Sequence, residues 1–351
     1  MAQQEPSPRW GLIGTGHSAH AFARALATVP GAHLAAVGSR SPARAEAFAR
    51  THGAATAHGS CTGPATDPGV DAVYVATPHP WHHTHALAAL ESGKHVLVRA
   101  PLAANDLQAA ELIQAARDRD LLLMEGSAPR HVPVQRLART MVEQGAIGAV
   151  LSVHAELGAG LDHDHAHPFF DAERGGGALS LLGTHLLSAA TWYLGELTVL
   201  GAARQLAPGR TVDTLATVLA RGGGGATATL TCASRPDVAR AVITGSAGRI
   251  EIEGTGQATD AVLHRHGAAP ERLHREEGAD THRFQALEFA RCLNQGLTQS
   301  PLMPWSHSRA LAQAVDRVRD VAELMDDPAH LTGAGRPTGS AGAAHAGGGR
   351  R

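Results

Sequence analysis

A glycine-rich turn between an apolar run and a helical pattern constrains the fold of this chain more than any other feature. The turn matches the pattern G-x-G-x-x-A with the residues Gly14-Thr15-Gly16-His17-Ser18-Ala19. Gly14 permits a tight turn, Gly16 lets the backbone approach a pyrophosphate, and Ala19 lets the helix pack closely. The amino end of the helix attracts phosphates. We therefore predict a dinucleotide site at Gly14, Thr15, Gly16, His17 and Ser18.

The first third of the chain alternates between buried strands and helices. The apolar runs that predict strands are 10–14, 33–38, 70–77, 95–99 and 121–125, and the helical segments are 17–28, 42–52, 82–92 and 104–118. Such alternation is typical of a doubly wound parallel sheet, a Rossmann-type α/β domain. We assign this domain to residues 1–126.

The pattern changes after residue 126. Residues 211–220 and 226–232 flank four glycines and predict a hairpin, and further short strands follow at 241–244 and 249–253. We expect a second α/β domain over 127–330, with a large, open, mostly antiparallel sheet. The Gly- and Ala-rich residues 331–351 predict a disordered tail.

Composition excludes several classes of protein. The formal net charge of -2 favours neither a nucleic-acid nor a membrane partner. No apolar run reaches the length of a spanning helix, and the first residues do not resemble a signal peptide. Three separated cysteines argue against a disulfide framework. We therefore expect a cytoplasmic protein with a small-molecule substrate.

The end of the second strand bears on the choice of cofactor. An Asp or Glu there would bind the ribose 2′-hydroxyl of NAD, but the chain has Ser39 and Arg40. A serine and an arginine favour a 2′-phosphate, so we predict NADP(H). The alternative is that Arg40 is an ordinary solvated arginine.

Several further motifs resemble one family. They are Val73 to His82, Ala86 to Val98, Gly175 to Leu179, Gly245 to Glu251 and Ser300 to Pro304. Together they resemble the Gfo/Idh/MocA oxidoreductases, and most of all their dihydrodiol dehydrogenase branch. The resemblance implies NAD(P) binding by the first domain and a homodimer formed through the open sheet.

The same resemblance implies further cofactor contacts. By position these would be made by Ala76, Thr77, Pro78, His79, His82 and Pro101. For His79 and His82 the alternative is helix capping and packing after the Thr-Pro turn.

Two catalytic positions depart from the family pattern. The family's Glu-Lys-Pro is replaced by Arg99-Ala100-Pro101, and its Asp in the Gly-Gly-Gly-Ala-Leu-x-Asp pattern is replaced by Leu181. Arg99 cannot take over the lysine's position, because adjacent strand residues point to opposite faces. Lys94, the only lysine, lies in an upstream turn. His185, which the family pattern also contains, is retained and follows Leu181 by one helical turn.

These departures leave three hypotheses open. The first is an NADP(H)-dependent oxidoreductase that acts on a hydroxyl or carbonyl of a small sugar, polyol or diol-like metabolite, with His185 exchanging the proton. The second is a nucleotide-binding enzyme with non-redox chemistry, such as elimination, isomerisation or cyclisation. The third is a catalytically inactive paralogue.

Two other features concern the predicted substrate site. Histidines alternate with aspartates before the glycine triplet, and we predict substrate or proton contact by His165 rather than a metal site. Arg130 matches a basic position that the resembled branch has near its active site, so it is predicted to be catalytic. The alternative for Arg130 is a surface salt bridge.

Overall fold

Two sheets of different construction organise the chain, and the first is entirely parallel. The computed structural model describes residues 7–161, 167–207, 211–254, 258–275 and 280–325. The first sheet has six strands in the order β3-β2-β1-β4-β5-β6. They are β1 (Arg9–Ile13), β2 (His33–Gly38), β3 (Thr56–His58), β4 (Ala72–Val75), β5 (His95–Arg99) and β6 (Leu123–Gly126). This order is that of a Rossmann sheet.

Five helices connect these strands, and local sequence explains their ends. They are α1 (His17–Leu26), α2 (Pro42–His52), α3 (Gly63–Thr66), α4 (His82–Glu91) and α5 (Asp106–Arg117). Ser41 accepts a hydrogen bond from the backbone N–H of Arg44, and Gly53 ends α2 with a φ of 73°. The residues 53–69, for which the sequence predicts no clear element, form β3 and α3.

The second sheet is mixed and mostly antiparallel, in the order β14-β13-β12-β11-β7-β10-β9-β8-β15. Two of its pairs, β10 with β7 and β15 with β8, are parallel. Its strands are β7 (Val150–Ala159), β8 (Leu197–Leu206), β9 (Asp213–Gly222), β10 (Thr227–Ala233), β11 (Asp237–Gly245), β12 (Gly248–Glu253), β13 (Asp260–Arg265), β14 (Glu271–His274) and β15 (Ala322–Met325). The predicted α/β fold class is confirmed.

Helices pack against this second sheet around a large apolar core. They are α6 (Ala128–His131), α7 (Pro133–Glu143), α8 (Thr184–Leu194) and part of α10 (Trp305–Val321). Alternate residues of β9 and β10 point into the core, as period-two strands require. The hairpin predicted around the four glycines joins β9 to β10.

The last two helices return to the first domain. The helix α9 (Thr281–Asn294) packs on the Rossmann sheet, where the ring centroids of Phe289 and Trp10 are 4.9 Å apart. Trp305, at the start of α10, donates its indole N–H to the Leu123 carbonyl at 3.0 Å. Residues after position 127 therefore also contribute to the packing of the first domain. The predicted disordered tail, residues 331–351, lies outside the described residues.

Two further features concern membrane-spanning helices and cysteines. No helix in the described ranges is long and apolar enough to cross a membrane. Cys61, Cys232 and Cys292 are free thiols.

Candidate functional site: the carboxyl edge of the Rossmann sheet

The glycine turn lies between β1 and β4, where the strand order reverses. Gly14 has a φ of 107°, a conformation that favours glycine. Its backbone is so close to the loop after β4 that an added Cβ would lie 3.1 Å from the Ala76 carbonyl oxygen. Ligands of open α/β sheets bind at this reversal point.

The amino end of α1 is open toward the cleft. Gly16 is its N-cap residue, and a Cβ placed there would meet no described atom within 4 Å. No acidic residue occupies the first turn, and no side chain caps it. Thr15 and Ser18 are half-buried, whereas His17 is exposed. The free backbone N–H groups and the open space fit the pyrophosphate of a dinucleotide.

The end of β2 presents Ser39 and Arg40. Ser39 is buried, and its hydroxyl accepts a hydrogen bond from the backbone N–H of Ser41. Arg40 is exposed, and its guanidinium carbon lies 5.7 Å from the Trp81 ring centroid. This cation–π contact gives Arg40 one neighbour at the end of β2, and its contact with a 2′-phosphate stays a prediction.

The loop after β4 is tied to the loop after β5 by one histidine. His82 is fully buried, and its ring nitrogens lie 2.7 Å from the Pro101 carbonyl oxygen and 2.8 Å from that of Thr77. Burial lowers the pKa of His82 to about 4. His82 therefore fixes two of the loops that the resemblance assigns to the cofactor, which agrees with the packing alternative and leaves cofactor contact a prediction.

His79 connects the two domains. It belongs to a 3-10 turn, His79–Trp81, that begins after Pro78. An added Cβ at Gly175 would lie 2.2 Å from its ring, so the glycine triplet packs directly on His79. His79 is 5% exposed, its Nδ1 has no partner in the described structure, and burial lowers its pKa to about 3.

His185 occupies the second domain's side of the cleft. It follows a π-helical turn, Leu179–Gly183, and lies in the first turn of α8. The π turn replaces the α-helical turn expected there. Its first residue is held by Asp213, which accepts the Leu179 backbone N–H at 2.7 Å. π-helical turns occur often at functional sites.

The His185 side chain is half-buried. Its Nδ1 is buried without a partner in the described structure, which leaves Nε2 as the accessible nitrogen. Burial and the nearby Arg99 charge lower the pKa of His185 to about 4. The imidazole is therefore neutral at pH 7 and can accept a proton.

The two departures from the family pattern put apolar residues at positions where the family has titratable groups. Ala100 is 5% exposed and Leu181 is half-buried. Neither can exchange a proton. Lys94 lies at the opposite end of β5, where its ammonium donates to the Asp67 and Val70 carbonyls.

Arg130, which is predicted to be catalytic, is enclosed by the packing of the second domain, and its catalytic role stays a prediction. It is fully buried, and its guanidinium donates to the Ser188 carbonyl, the Thr191 hydroxyl and the Leu302 carbonyl. It also lies over the Trp192 ring. Because no carboxylate of the described residues pairs with it, the structure gives no support to the alternative of a surface salt bridge. Arg130 instead links α6, α8 and the segment before α10.

Sequence reasoning missed Glu125, the last residue but one of β6. It is 2% exposed, and neither carboxyl oxygen forms a well-aligned hydrogen bond in the described structure. It borders a cavity of about 10 Å³, enough for one water. Burial raises its pKa to about 7, although Ser308 and the Leu102 backbone offset part of the rise. The sequence signal that could have identified Glu125 is a single carboxylate at the end of the apolar run 121–125.

The predicted histidine segment is described only in part. His165 lies outside the described residues, as do His163 and the two aspartates. His167 is described, and its Nδ1 accepts the backbone N–H of Phe169. No group of three metal-ligating side chains forms in the described ranges.

Sequence profiles of known families match both domains. Residues 8–127 match GFO_IDH_MocA, the oxidoreductase family with an NAD-binding Rossmann fold, and residues 135–251 match the GFO/IDH/MocA C-terminal domain. The match to the first profile spans the glycine turn and the histidine-bearing loop described above.

Characterised proteins match over nearly the whole chain. Trans-1,2-dihydrobenzene-1,2-diol dehydrogenase of Xenopus laevis is 31% identical over 333 residues, which is 90% of this chain and 98% of the relative. The human enzyme of that name is 28% identical, over 89% and 96% of the two chains.

Solved structures agree with these relatives. KijD10, a 3-ketoreductase from Actinomadura kijaniata in complex with NADP and TDP-benzene, is 29% identical, with a TM-score of 0.83 over 92% of this chain and all of that one. Levoglucosan dehydrogenase, at 21% identity over 89% and 96% of the chains and a TM-score of 0.81, shares the fold. The predicted resemblance is confirmed, and the chain belongs to the GFO/IDH/MocA family of oxidoreductases.

Proposed function

We propose that this protein is an NADP(H)-dependent oxidoreductase that acts on a hydroxyl or carbonyl group of a small sugar, polyol or diol-like metabolite. The main support is the open amino end of α1 at the strand reversal, where Gly14 packs against the loop after β4. The 3-ketoreductase and diol dehydrogenase relatives support the reaction class. The free cysteines suit a cytoplasmic enzyme.

The preference for NADP(H) rests on the end of β2. Ser39 and Arg40 replace the acidic residue that binds a ribose 2′-hydroxyl, and the Trp81 ring supports Arg40 at that edge. A guanidinium binds phosphate oxygens well, and no carboxylate stands at this position to repel them.

His185 is assigned the proton. The bound nicotinamide supplies or accepts hydride, and a substrate oxygen must lose or gain a proton in the same reaction. A neutral imidazole with an accessible Nε2 can take the proton of a hydroxyl group and return it in reverse. Ala100 and Leu181 leave His185 to do this without the family's lysine and aspartate.

Calorimetric titration with NADPH and, separately, NADH tests the cofactor assignment. Tight NADPH binding with much weaker NADH binding is expected. The Arg40→Gln variant should lose this preference while keeping its NADH affinity, because only the 2′-phosphate contact is removed. Absence of binding by both nucleotides would contradict the proposed function.

Non-redox chemistry and loss of activity are the competing functions, and the absent lysine favours them. Restoring both groups in an Ala100→Lys, Leu181→Asp double variant separates the cases. If the wild type has no dehydrogenase activity and the variant gains it, the protein is a decayed family member. If the variant loses an existing activity, the site has been rebuilt around other residues.

We also propose a homodimer formed through the outer face of the second sheet. Leu200 on β8 and Leu219 on β9 are 51% and 45% exposed, although both follow core-facing valines. Analytical ultracentrifugation should show a dimer that Leu219→Arg dissociates. A monomeric wild type would contradict the proposal.

A further inference from the structure

Arg99 is a cation without a partner at the carboxyl edge of the Rossmann sheet. It is the last residue of β5 and pairs in register with Gly126 of β6. Its side chain is partly buried. No hydrogen bond or ion pair joins its guanidinium to any described residue, whereas Arg130 and Arg319, the other arginines of this region, donate to several acceptors.

The guanidinium lies within electrostatic reach of both sides of the cleft. After burial, its charge is among the causes that lower the pKa values of His79 and His82 in the first domain and of His185 in the second. For His185 it is the one charge that acts. The Nδ1 atoms of His79 and His185 also have no described partner.

The carboxylates of this region are engaged elsewhere. Asp213 accepts hydrogen bonds from Arg204 and from the Leu179 backbone, and Asp280 caps α9. Glu125 borders the cavity beside Pro101 and Leu102. On β5, Leu97 packs toward α1 and α9 whereas Val98 packs on the opposite face, so Arg99 shares the face of Leu97. These carboxylates thus leave the Arg99 guanidinium without a counter-ion in the described structure. Arg319, whose charge also lowers the pKa of His79, instead donates to Asp316, the Ala104 carbonyl and the Ser180 hydroxyl.

We propose that the substrate carries an anionic group, a carboxylate or a phosphate, that pairs with Arg99 next to the carbon that is oxidised or reduced. This inference rests on the proposed function and names its substrate class. A partly buried guanidinium lacking a counter-ion loses hydration without compensation, and an oxyanion restores paired hydrogen bonds in a planar, bidentate geometry. A substrate anion supplies what the protein lacks here.

The reaction balances with a hydroxy acid as the reduced substrate. Its C–H bond breaks with transfer of a hydride, and thus two electrons, to the nicotinamide. Its O–H proton passes to Nε2 of His185, and the carbon–oxygen double bond forms. The anionic group pairs with Arg99 throughout and so fixes which carbon faces the hydride acceptor.

Oxalate is a suitable probe because it carries carboxylates and cannot be oxidised or reduced by hydride transfer in this site. The full-length protein is titrated calorimetrically with oxalate, with inorganic phosphate and with oxamide, the uncharged diamide of the same shape. Each titration is done with and without saturating NADPH. The variants are Arg99→Gln, Arg99→Lys and the control Arg50→Gln, whose exposed side chain lies on α2.

The expected result is oxalate or phosphate binding that Arg99→Gln weakens by about tenfold or more and Arg99→Lys weakens less, since lysine keeps the charge without the bidentate geometry. Arg50→Gln should bind like the wild type, and oxamide should not bind. The stronger of the two anions identifies the chemistry of the group. NADPH affinity should be the same in Arg99→Gln and the wild type.

Two results would overturn the inference. One is anion affinity that Arg99→Gln leaves unchanged, or no binding of either anion to a protein that binds NADPH. The other is an Arg99→Gln variant that loses NADPH affinity as much as anion affinity, which would assign the charge to the cofactor. If oxalate binds through Arg99 but NADPH does not bind at all, the anion site stands and the proposed redox function fails.

Discussion

The polar groups near the glycine turn and those near His185 differ in whether they have hydrogen-bond partners. Around the glycine turn, backbone packing and His82 connect the loops after β1, β4 and β5, and both His82 nitrogens face carbonyl oxygens. At the predicted catalytic edge, no described residue hydrogen-bonds to the Arg99 guanidinium, and Nδ1 of both His79 and His185 is buried without a partner in the described structure. We therefore expect nucleotide binding to depend on backbone geometry, and catalysis to depend on a few side chains that substitution can exchange.

The largest expected effect tests whether the catalytic side depends on one side chain. Replacing His185 with Asn removes the proposed proton acceptor and should lower kcat about 10²- to 10⁴-fold. NADPH affinity should not change, because His185 lies on the second domain. Steady-state kinetics and calorimetry measure the two effects. The control is His154→Asn, at an exposed position of β7. An unchanged kcat would assign the proton to another group.

The second prediction separates Arg130 from the cleft. Arg130→Ala should lower the free energy of unfolding by about 3–5 kcal/mol, because the Ser188 and Leu302 carbonyls lose their buried donor. The wild-type activity per folded molecule should remain. Chemical denaturation with activity measured in parallel checks this. A stable but inactive variant would return Arg130 to a catalytic role.

The third prediction concerns the pH dependence that Glu125 imposes on folding. A raised carboxyl pKa means that the folded state holds a proton that the unfolded state loses, so stability falls as pH rises from 4.5 to about 7. The full cost above pH 7 is about 3 kcal/mol. Glu125→Gln should remove this pH dependence. The free energy of unfolding of the variant should therefore rise relative to that of the wild type as the pH increases from 4.5 to 8.

Denaturant titrations across this pH range measure the gain. Glu46→Gln, at an exposed position on α2, is the matched control and should follow the wild type. If the free energies of unfolding of Glu125→Gln and the wild type change in parallel with pH, Glu125 is ionised at neutral pH and is paired with another group.

The smallest expected effect concerns the glycine turn, where the nucleotide is predicted to bind. Gly16→Ala meets no described atom in the free protein, so folding should be nearly unaffected, but the methyl group narrows the approach to the pyrophosphate. NADPH affinity should fall by about tenfold. Gly31→Ala, in an open turn with a φ of 73°, should instead cost stability and leave affinity unchanged. Equal NADPH affinity in Gly16→Ala and the wild type would move the pyrophosphate away from α1.

Sequence reasoning predicted the elements of the Rossmann domain well, because each carries its own signals. Ser41, Pro42 and Gly53 mark the ends of α2, and the apolar period marks the strands. It assigned α9 to the second domain because chain order is linear, whereas packing is not. The apolar face of α9, with Phe289, is buried against Trp10 from the other end of the chain.

The site was predictable where it depends on a motif and unpredictable where it depends on burial. The glycine turn, His82 and His185 follow from spacing and resemblance. The enclosure of Arg130 and the raised pKa of Glu125 depend on which groups surround them, and those groups come from α8, α10 and the loops that join them.

The sequence by itself determined the alternation of strands and helices, the open helix terminus at Gly16 and the loss of the lysine and aspartate at Ala100 and Leu181. These properties are local, since they depend on residue type and spacing along the chain. Only the tertiary structure decided which charges are satisfied. Arg130 is buried among acceptors and Arg99 is not, because hydrogen-bond partners and solvent are set by neighbours distant in sequence.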